Sequence, residues 1–146
     1  MQIQFHLDPA QTEPKITVTA SELTDELKAL LLRLEHGRPT AITAYEADRA
    51  VLLSPEHILR FFADGKSVCV QTQDGTYCVR QRLYELEELL DPHKFVRISH
   101  SEIVNLAHVR ALDLKLSGTI RMTLTGDVTC FVSRRSLKKI KQALNL

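Results

Sequence analysis

Residues 58–80 read ILRFFADGKSVCVQTQDGTYCVR, three short apolar segments separated by two Asp-Gly pairs. Asp64-Gly65 and Asp74-Gly75 are typical of hairpin turns, because Asp and Gly tolerate the backbone angles that tight turns require. The segments between them have the length of strands and are rich in β-branched and aromatic residues. This stretch therefore predicts three consecutive antiparallel strands.

The same pattern continues on both sides of this stretch, with further turns expected at Ser117-Gly118 and Gly126-Asp127. Short helices are predicted at 82–90, which ends at Asp91-Pro92, and at 134–144. So many closely spaced strands favour a mainly β (α+β) fold with antiparallel sheets over a β-α-β fold. The predicted strands are 40–46, 49–53, 58–63, 68–72, 76–80, 109–116, 120–124 and 128–132.

The first part of the chain has a different pattern. Residues 2–7 and 15–20 alternate polar and apolar side chains, which predicts two half-buried strands. Ser21 is a plausible N-cap for a helix that ends at Gly37 and Pro39. The leucines at helical spacing, which we expect to be buried, are Leu23, Leu27, Leu30, Leu31 and Leu34.

These patterns divide the chain into a small β-β-α extension, residues 1–38, and an antiparallel β domain, residues 40–146. Charge is also unevenly distributed. Residues 1–38 have four Lys/Arg and six Asp/Glu (−2), residues 39–92 five and nine (−4), and residues 93–146 ten and three (+7), which sum to the net +1. A polyanionic partner would therefore meet the last third of the chain.

Neither a secreted nor a membrane protein is indicated. The longest purely aliphatic run, residues 29–32, is too short to cross a bilayer, and no signal peptide precedes it, so we expect a cytoplasmic protein.

Cys69, Cys78 and Cys130 are interpreted chiefly as small core residues. A redox switch remains an alternative, since a hairpin could place Cys69 and Cys78 diagonally on one face. The scattered histidines and absence of Cys-x-x-Cys give no metal-site motif.

Two short motifs resemble enzyme sites but lack their essential companions. Gly-Lys-Ser at 65–67 looks like the end of a phosphate-binding loop, yet Arg60 occupies the position of the required glycine and a predicted strand follows. Ser-His-Ser at 99–101 is accompanied by no nucleophile elbow or glycine-rich oxyanion loop. We therefore predict no catalytic residues, no cofactor, no metal and no small-molecule substrate.

Basic and hydroxyl side chains are concentrated in two segments, 97–101 and 133–139. The second begins at a predicted strand-to-helix junction, where free backbone N–H groups and the helix dipole favour anions. Duplex DNA requires this combination, because cations and hydroxyls bind phosphates while a few side chains reach base edges. The sequence therefore favours a DNA-binding protein.

Three segments carry a resemblance to a known family. Residues 95–106, FVRISHSEIVNL, resemble the core signature of the LytTR family: phenylalanine–x–arginine–isoleucine–(histidine or serine)–(arginine or lysine)–serine–x–x–valine–asparagine. Residues 132–135, VSRR, resemble its closing element, and residues 58–68 resemble its upstream strand and loop. The three segments occur in the family's order and spacing, so the resemblance covers residues 40–146.

The resemblance implies an elongated, mostly antiparallel β fold whose loops and helix ends enter successive major grooves of DNA. The family's base-contacting positions fall on Lys66, His100 and Arg135. His100 replaces a usual Arg or Lys, Phe62 a common Glu and Ser136 a common Tyr. The residues implied to contact the DNA backbone are Arg97, Ser99, Ser101, Ser133, Arg134, Ser136, Lys138 and Lys139.

The family's known members suggest how the chain acts. It is most similar to stand-alone LytTR regulators with a short extension, because the residues before position 40 are too few for a receiver domain. By analogy we expect a cytoplasmic homodimer that binds imperfect direct repeats, with a small integral membrane protein as a further partner. The competing hypotheses are a protein-interaction adaptor and an RNA-binding module on the same β scaffold.

Overall fold

The computed structural model describes residues 2–114 and 120–146. Their α-helices are α1 (Asp25–His36), α2 (Leu83–Leu89) and α3 (Arg134–Ala143), and short 3-10 helices lie at Pro55–His57 and Leu106–His108. No helix in this described part is long and apolar enough to cross a membrane. The strands are β1 (Ile42–Glu46), β2 (Arg49–Leu53), β3 (Ile58–Asp64), β4 (Ser67–Thr72), β5 (Thr76–Val79), β6 (Phe95–Ser99), β7 (Glu102–Asn105), β8 (Val109–Asp113), β9 (Ile120–Leu124) and β10 (Val128–Val132).

The strands form two antiparallel sheets. The larger has the order β2-β1-β5-β4-β3-β7-β6, and the smaller has the order β10-β9-β8. The mainly β, antiparallel architecture predicted from the turn-punctuated pattern is confirmed. Strands β3, β4 and β5, predicted from residues 58–80, are consecutive neighbours in the larger sheet.

The eight predicted strands all form. Their bounds differ from the prediction by no more than two residues, except at the end of the strand predicted at 109–116. Strand β8 ends at Asp113, and residues 115–119, which include the Ser117-Gly118 turn, lie outside the described residues. The helices predicted at 82–90 and 134–144 are also confirmed. Strands β6 and β7 were not predicted as strands, because the polar turn between them contains none of the usual Gly, Pro, Asn or Asp residues.

The hydrophobic core has two parts, one on each face of the larger sheet. On one face, Phe61 and Ile103 pack with Leu86 of α2. On the other face, side chains of β3, β6 and β7 pack against the smaller sheet and α3, whose Ile140 is completely buried. These strands contribute Leu59, Val96, Ile98 and Val104 to this face. Burial on both faces holds β3, β6 and β7 firmly in the middle of the fold.

The extension differs from its prediction. The strands expected at 2–7 and 15–20 are not formed, and these residues are exposed, with Phe5 at 91%. A strand needs a partner for its backbone groups and a cover for its apolar face, and neither is present for these segments in the described chain. Helix α1 does form, but Thr24 rather than Ser21 is its N-cap, since the Thr24 hydroxyl accepts a hydrogen bond from Leu27 N at 3.2 Å.

Helix α1 packs against α2 but is only half covered. None of its residues is buried, and Leu23 and Leu34 of the leucine stripe are exposed at 58% and 49%. The chain just after α1 is held by Arg38, whose Nη1 donates a hydrogen bond to Leu90 O at 2.7 Å. In the single chain the leucine stripe is therefore only partly covered, and its burial against a partner stays a prediction.

Leu86→Ala tests the core between α2 and the larger sheet. Leu86 is completely buried, so we expect a loss of about 2–5 kcal/mol in the free energy of unfolding. The matched control is Leu52→Ala, which truncates a leucine that is 72% exposed and should change the value by less than about 0.5 kcal/mol. Urea denaturation measures both, and similar losses for the two variants would contradict this description of the core.

Candidate nucleic-acid interface

Two turns of the larger sheet lie at the same edge. Strand β3 runs antiparallel to β7, with Phe62 opposite Glu102, so the end of β3 meets the start of β7. Ala63 N donates a hydrogen bond to Ser101 O at 2.8 Å, which joins the β3–β4 turn to the β6–β7 turn. The pairing thus places residues 64–67 beside residues 99–102.

The start of α3 is the third segment at this edge. Ser133 N donates a hydrogen bond to Ile98 O at 2.8 Å, so the β10–α3 junction lies against the end of β6. The Ser133 hydroxyl caps α3 by accepting a hydrogen bond from Ser136 N at 3.2 Å. We call the surface formed by residues 64–67, 99–102 and 133–139 the basic edge.

The side chains predicted to reach bases are free and exposed on the basic edge. Lys66, His100 and Arg135 are exposed, and none of their side chains has a hydrogen bond or ion pair with another described residue. The same holds for the exposed cations on α3, which are Arg134, Lys138 and Lys139. The structure therefore brings together residues that are separated by up to 69 positions in the sequence, from Lys66 to Arg135.

Arg97 differs from these cations because its guanidinium already bonds to three groups within the chain. Its Nε donates to Ser99 O at 2.9 Å, its Nη2 donates to His100 O, and its Nη1 contacts Glu87 Oε2 at 3.0 Å. The two bonds to carbonyl oxygens fix the backbone conformation of the β6–β7 turn. The side chain is only 21% exposed, so the geometry suits the ordering of the turn better than a contact with a phosphate.

The hydroxyl groups of the basic edge also bond locally. Ser99 Oγ accepts a hydrogen bond from Ser101 N at 3.2 Å and lies 3.3 Å from Ser101 Oγ. Ser133 Oγ lies 2.9 Å from Ser136 Oγ. A hydroxyl oxygen can take part in more than one hydrogen bond, so these contacts orient the hydroxyls without using all of their capacity.

Arg82 is a further cation beside the basic edge, and it was not predicted from the sequence. The pairing of Val68 with Val79 brings the end of β5 beside the β3–β4 turn, and Arg82 Nη1 lies 3.4 Å from Lys66 O. Arg82 is exposed and immediately precedes α2. The sequence shows only a basic residue before a helix, and its relation to Lys66 depends on the β4–β5 register.

Comparison with known proteins gives a family match for this chain. Residues 48–145 match the family model described as the LytTr DNA-binding domain. The chain belongs to the LytTR family. The family predicted from its three sequence elements is thereby confirmed.

Similar proteins include full-length regulators and a solved domain. Uncharacterized HTH-type transcriptional regulators of Staphylococcus aureus strains MSSA476 and MW2 are each 29% identical over all of this chain and 99% of their own length. The LytTr DNA-binding domain of a Bacillus cereus protein described as a methyl-accepting/DNA response regulator superposes with a TM-score of 0.70. That domain is 21% identical, and the match covers 74% of this chain and 99% of the domain.

A largely buried ion pair lies next to the basic edge and joins β3 to the start of β7. Arg60 Nη1 and Glu102 Oε2 are 3.1 Å apart, each side chain is 17% exposed, and Arg60 Nε donates to Gln71 Oε1 at 2.7 Å. The Arg60 guanidinium also lies 4.4 Å from the centre of the Phe62 ring. Burial raises the pKa of the Glu102 carboxyl, and the neighbouring Arg60 opposes that increase.

The remaining reactive side chains belong to the cysteines. Cys69 and Cys130 are buried as expected, but Cys78 is exposed, so its interpretation as a core residue is wrong. Burial raises the pKa of the Cys130 thiol to about 12, which keeps it protonated and unreactive. Within the described residues there is no group of three or more His, Cys, Asp or Glu that could hold a metal.

The raised pKa of Glu102 predicts a pH dependence of stability. The folded chain favours the neutral carboxyl, so the contribution of Glu102 to the free energy of unfolding is fully present below pH 4.5 and declines as the pH rises through the raised pKa. We expect the difference in unfolding free energy, wild type minus Glu102→Gln, to be more favourable below pH 4.5 than at about pH 7. Denaturation of both proteins across this range measures the difference.

The control for this experiment is Glu88→Gln, at an exposed position of α2. It should show no comparable change in its difference from wild type across the same pH range. A wild-type advantage over Glu102→Gln that stays constant or increases with pH would contradict the assignment.

Proposed function

We propose that the chain is a sequence-specific transcriptional regulator that binds double-stranded DNA through the basic edge. The observation that carries the proposal is the meeting of three exposed segments at this edge through the bonds Ala63 N to Ser101 O and Ser133 N to Ile98 O. The membership of the LytTR DNA-binding family supports DNA as the ligand. The net charge of +7 on residues 93–146 favours the same polyanion.

Within this proposal, the free side chains of Lys66, His100 and Arg135 contact base edges in the major groove. Arg135 has the planar fork that can donate two hydrogen bonds to guanine, and His100 can donate or accept. Cations and hydroxyls around them contact phosphates and set the position of the protein on the duplex. These phosphate-contacting residues are Ser99, Ser101, Ser133, Arg134, Ser136, Lys138 and Lys139.

Arg97 and Arg82 have positioning roles in the proposal. Arg97 holds the carbonyls of Ser99 and His100, and so fixes the direction in which His100 leaves the turn. Arg82 lies beside the carbonyl of Lys66 and adds a further positive charge to the edge. We therefore reassign Arg97 from phosphate contact to support of the β6–β7 turn.

We further propose that the chain acts as a homodimer on imperfect direct repeats, with helix α1 in the dimer contact. The half-covered leucine stripe of α1 favours this role, because a stripe of this kind is normally buried against a partner. A groove of about 820 Å³ between α1 and α2, bordered by Leu32 and Tyr84, provides an additional concave surface.

The family resemblance also suggests a cytoplasmic location and a small integral membrane protein as a regulatory partner. Such a partner would bind the extension, residues 1–38, rather than the basic edge, because exposed apolar side chains such as Phe5 and Leu34 lie there. We propose no catalytic activity and no cofactor.

Selection of bound duplexes from a random pool, followed by sequencing, tests the proposal directly. A recovered motif with two direct repeats supports it, and recovery of random sequences contradicts it. For about six phosphate contacts, the logarithm of the affinity should fall with the logarithm of salt concentration with a slope near −5. An adaptor would show no such dependence, and an RNA-binding module would be displaced from duplex DNA by single-stranded RNA.

Arg135→Ala and Lys138→Ala distinguish base contact from phosphate contact. We expect Arg135→Ala to weaken specific binding by about 1–3 kcal/mol and to remove the preference at one base-pair position. Lys138→Ala should weaken binding to all duplexes equally and reduce the salt slope by about one. Titration against a selected site, its single-base variants and a scrambled duplex measures both effects.

A charge control for this comparison is Arg49→Ala, which removes an exposed cation from β2, away from both α1 and the basic edge. It should leave DNA affinity unchanged. If Arg135→Ala lowers the affinity for every duplex by the same factor, the base-contacting role of Arg135 is wrong.

A double variant, Leu23→Glu with Leu34→Glu, tests α1 as the dimer contact. Both side chains are exposed in the single chain, so the charges should be tolerated by the fold but repelled in an apolar interface. Sedimentation velocity should show a monomer for this variant and a dimer for wild type. Leu52→Glu, at an exposed position of β2, is the control, and a dimer that survives the α1 changes would place the interface elsewhere.

A further inference from the structure

Cys69 and Cys78 lie directly opposite each other on β4 and β5, rather than diagonally. Thr72 N donates a hydrogen bond to Gly75 O at 2.9 Å, which makes these residues a hydrogen-bonded pair at the end of the hairpin. Hydrogen-bonded and non-hydrogen-bonded pairs alternate along an antiparallel ladder. The cysteines form the third pair from Thr72 and Gly75, and they are therefore a non-hydrogen-bonded pair.

This kind of pair suits a disulfide. Directly opposite residues point to the same face of a sheet, and the Cα atoms of a non-hydrogen-bonded pair are about 4.5 Å apart. Disulfides join Cα atoms separated by about 4.4–6.8 Å, so no movement of the two strands past each other is required. Both thiols are free in the structure.

The two thiols differ in accessibility in a way that favours stepwise oxidation. Cys78 is exposed, while Cys69 is only 7% exposed and lies between Cys78 and Phe62 across the sheet. The pKa of the Cys69 thiol is raised, first by burial and then by the neighbouring Cys78 and Asp64. Cys78 can therefore meet an oxidant from solvent, and Cys69 is held beside it.

We propose that Cys69 and Cys78 form a reversible redox site, in which a hydroperoxide oxidises them to a cross-strand disulfide. The Cys78 thiolate attacks one oxygen of the peroxide and the O–O bond breaks, so that this oxygen is bonded to sulfur as a sulfenic acid while the other oxygen takes up a proton and leaves as water or an alcohol. The Cys69 thiol then loses its proton and attacks the Cys78 sulfur, which releases the sulfenic oxygen as water. Two thiols are oxidised and one hydroperoxide is reduced.

Reduction reverses the step, because an exposed sulfur in the disulfide remains open to attack by a dithiol. Cys130 is excluded from this chemistry, since it is 1% exposed in the core between the two sheets and burial raises its pKa to about 12. Cys69 lies three residues after Lys66 along the chain. Formation of the disulfide does not require bound DNA.

The experiment uses the reduced full-length chain and hydrogen peroxide as the oxidant. After oxidation and alkylation of the remaining thiols, digestion before Asp74 separates Cys69 from Cys78, so that a disulfide appears as two linked peptides. We expect one intramolecular link between these peptides, loss of two of the three thiols, and full recovery after dithiothreitol. Cys130→Ser should form the same link.

The variant that isolates the site is Cys78→Ser, which replaces an exposed thiol and should leave the fold intact. It should form no intramolecular link under the same conditions. Links that include Cys130, links between two chains, or overoxidation of Cys78 while Cys69 stays reduced would each overturn the proposal. Because no DNA is present, these outcomes are independent of the proposed function.

Discussion

Strand β3 pairs with β4 on one side and β7 on the other, and side chains on both of its faces are buried. A strand held in this way cannot slip, because a shift of one residue would exchange its two buried faces. The position of its end, Asp64, relative to the neighbouring strands is therefore fixed by the register. The β3–β4 turn, the β6–β7 turn and the start of α3 all take their positions from this strand and its neighbours.

The cations of the fold divide into two groups according to their partners. Arg60 and Arg97 are less than a quarter exposed, and they bond to Glu102, Glu87 and nearby carbonyls. They hold the turns in place and contribute little free charge. The exposed arginines and lysines of α3 have no such partners among the described residues, and so they retain the charge that a polyanion would bind.

Many features of the fold and of the basic edge could be predicted from local sequence. The turn at Gly126-Asp127 requires positive φ values, 78° and 60°, which Gly and Asp tolerate. The helix after Ser133 and its concentration of basic side chains were predicted from the sequence. By contrast, β6 and β7 were missed, because the turn between them contains no Gly, Pro, Asn or Asp that would separate two strands in the sequence. Arg82 was missed because only the β4–β5 pairing brings it to Lys66.

The sequence by itself determined the antiparallel β class, the three short segments typical of the family, and the concentration of positive charge in the last third of the chain. These properties depend on neighbouring residues, through turn geometry, side-chain periodicity and composition. Only the tertiary structure decided which turns meet, which arginines bond to partners inside the fold, and that residues 2–24 form no strand. Those outcomes depend on pairing between distant strands and on competition for buried surface, and no local pattern records them.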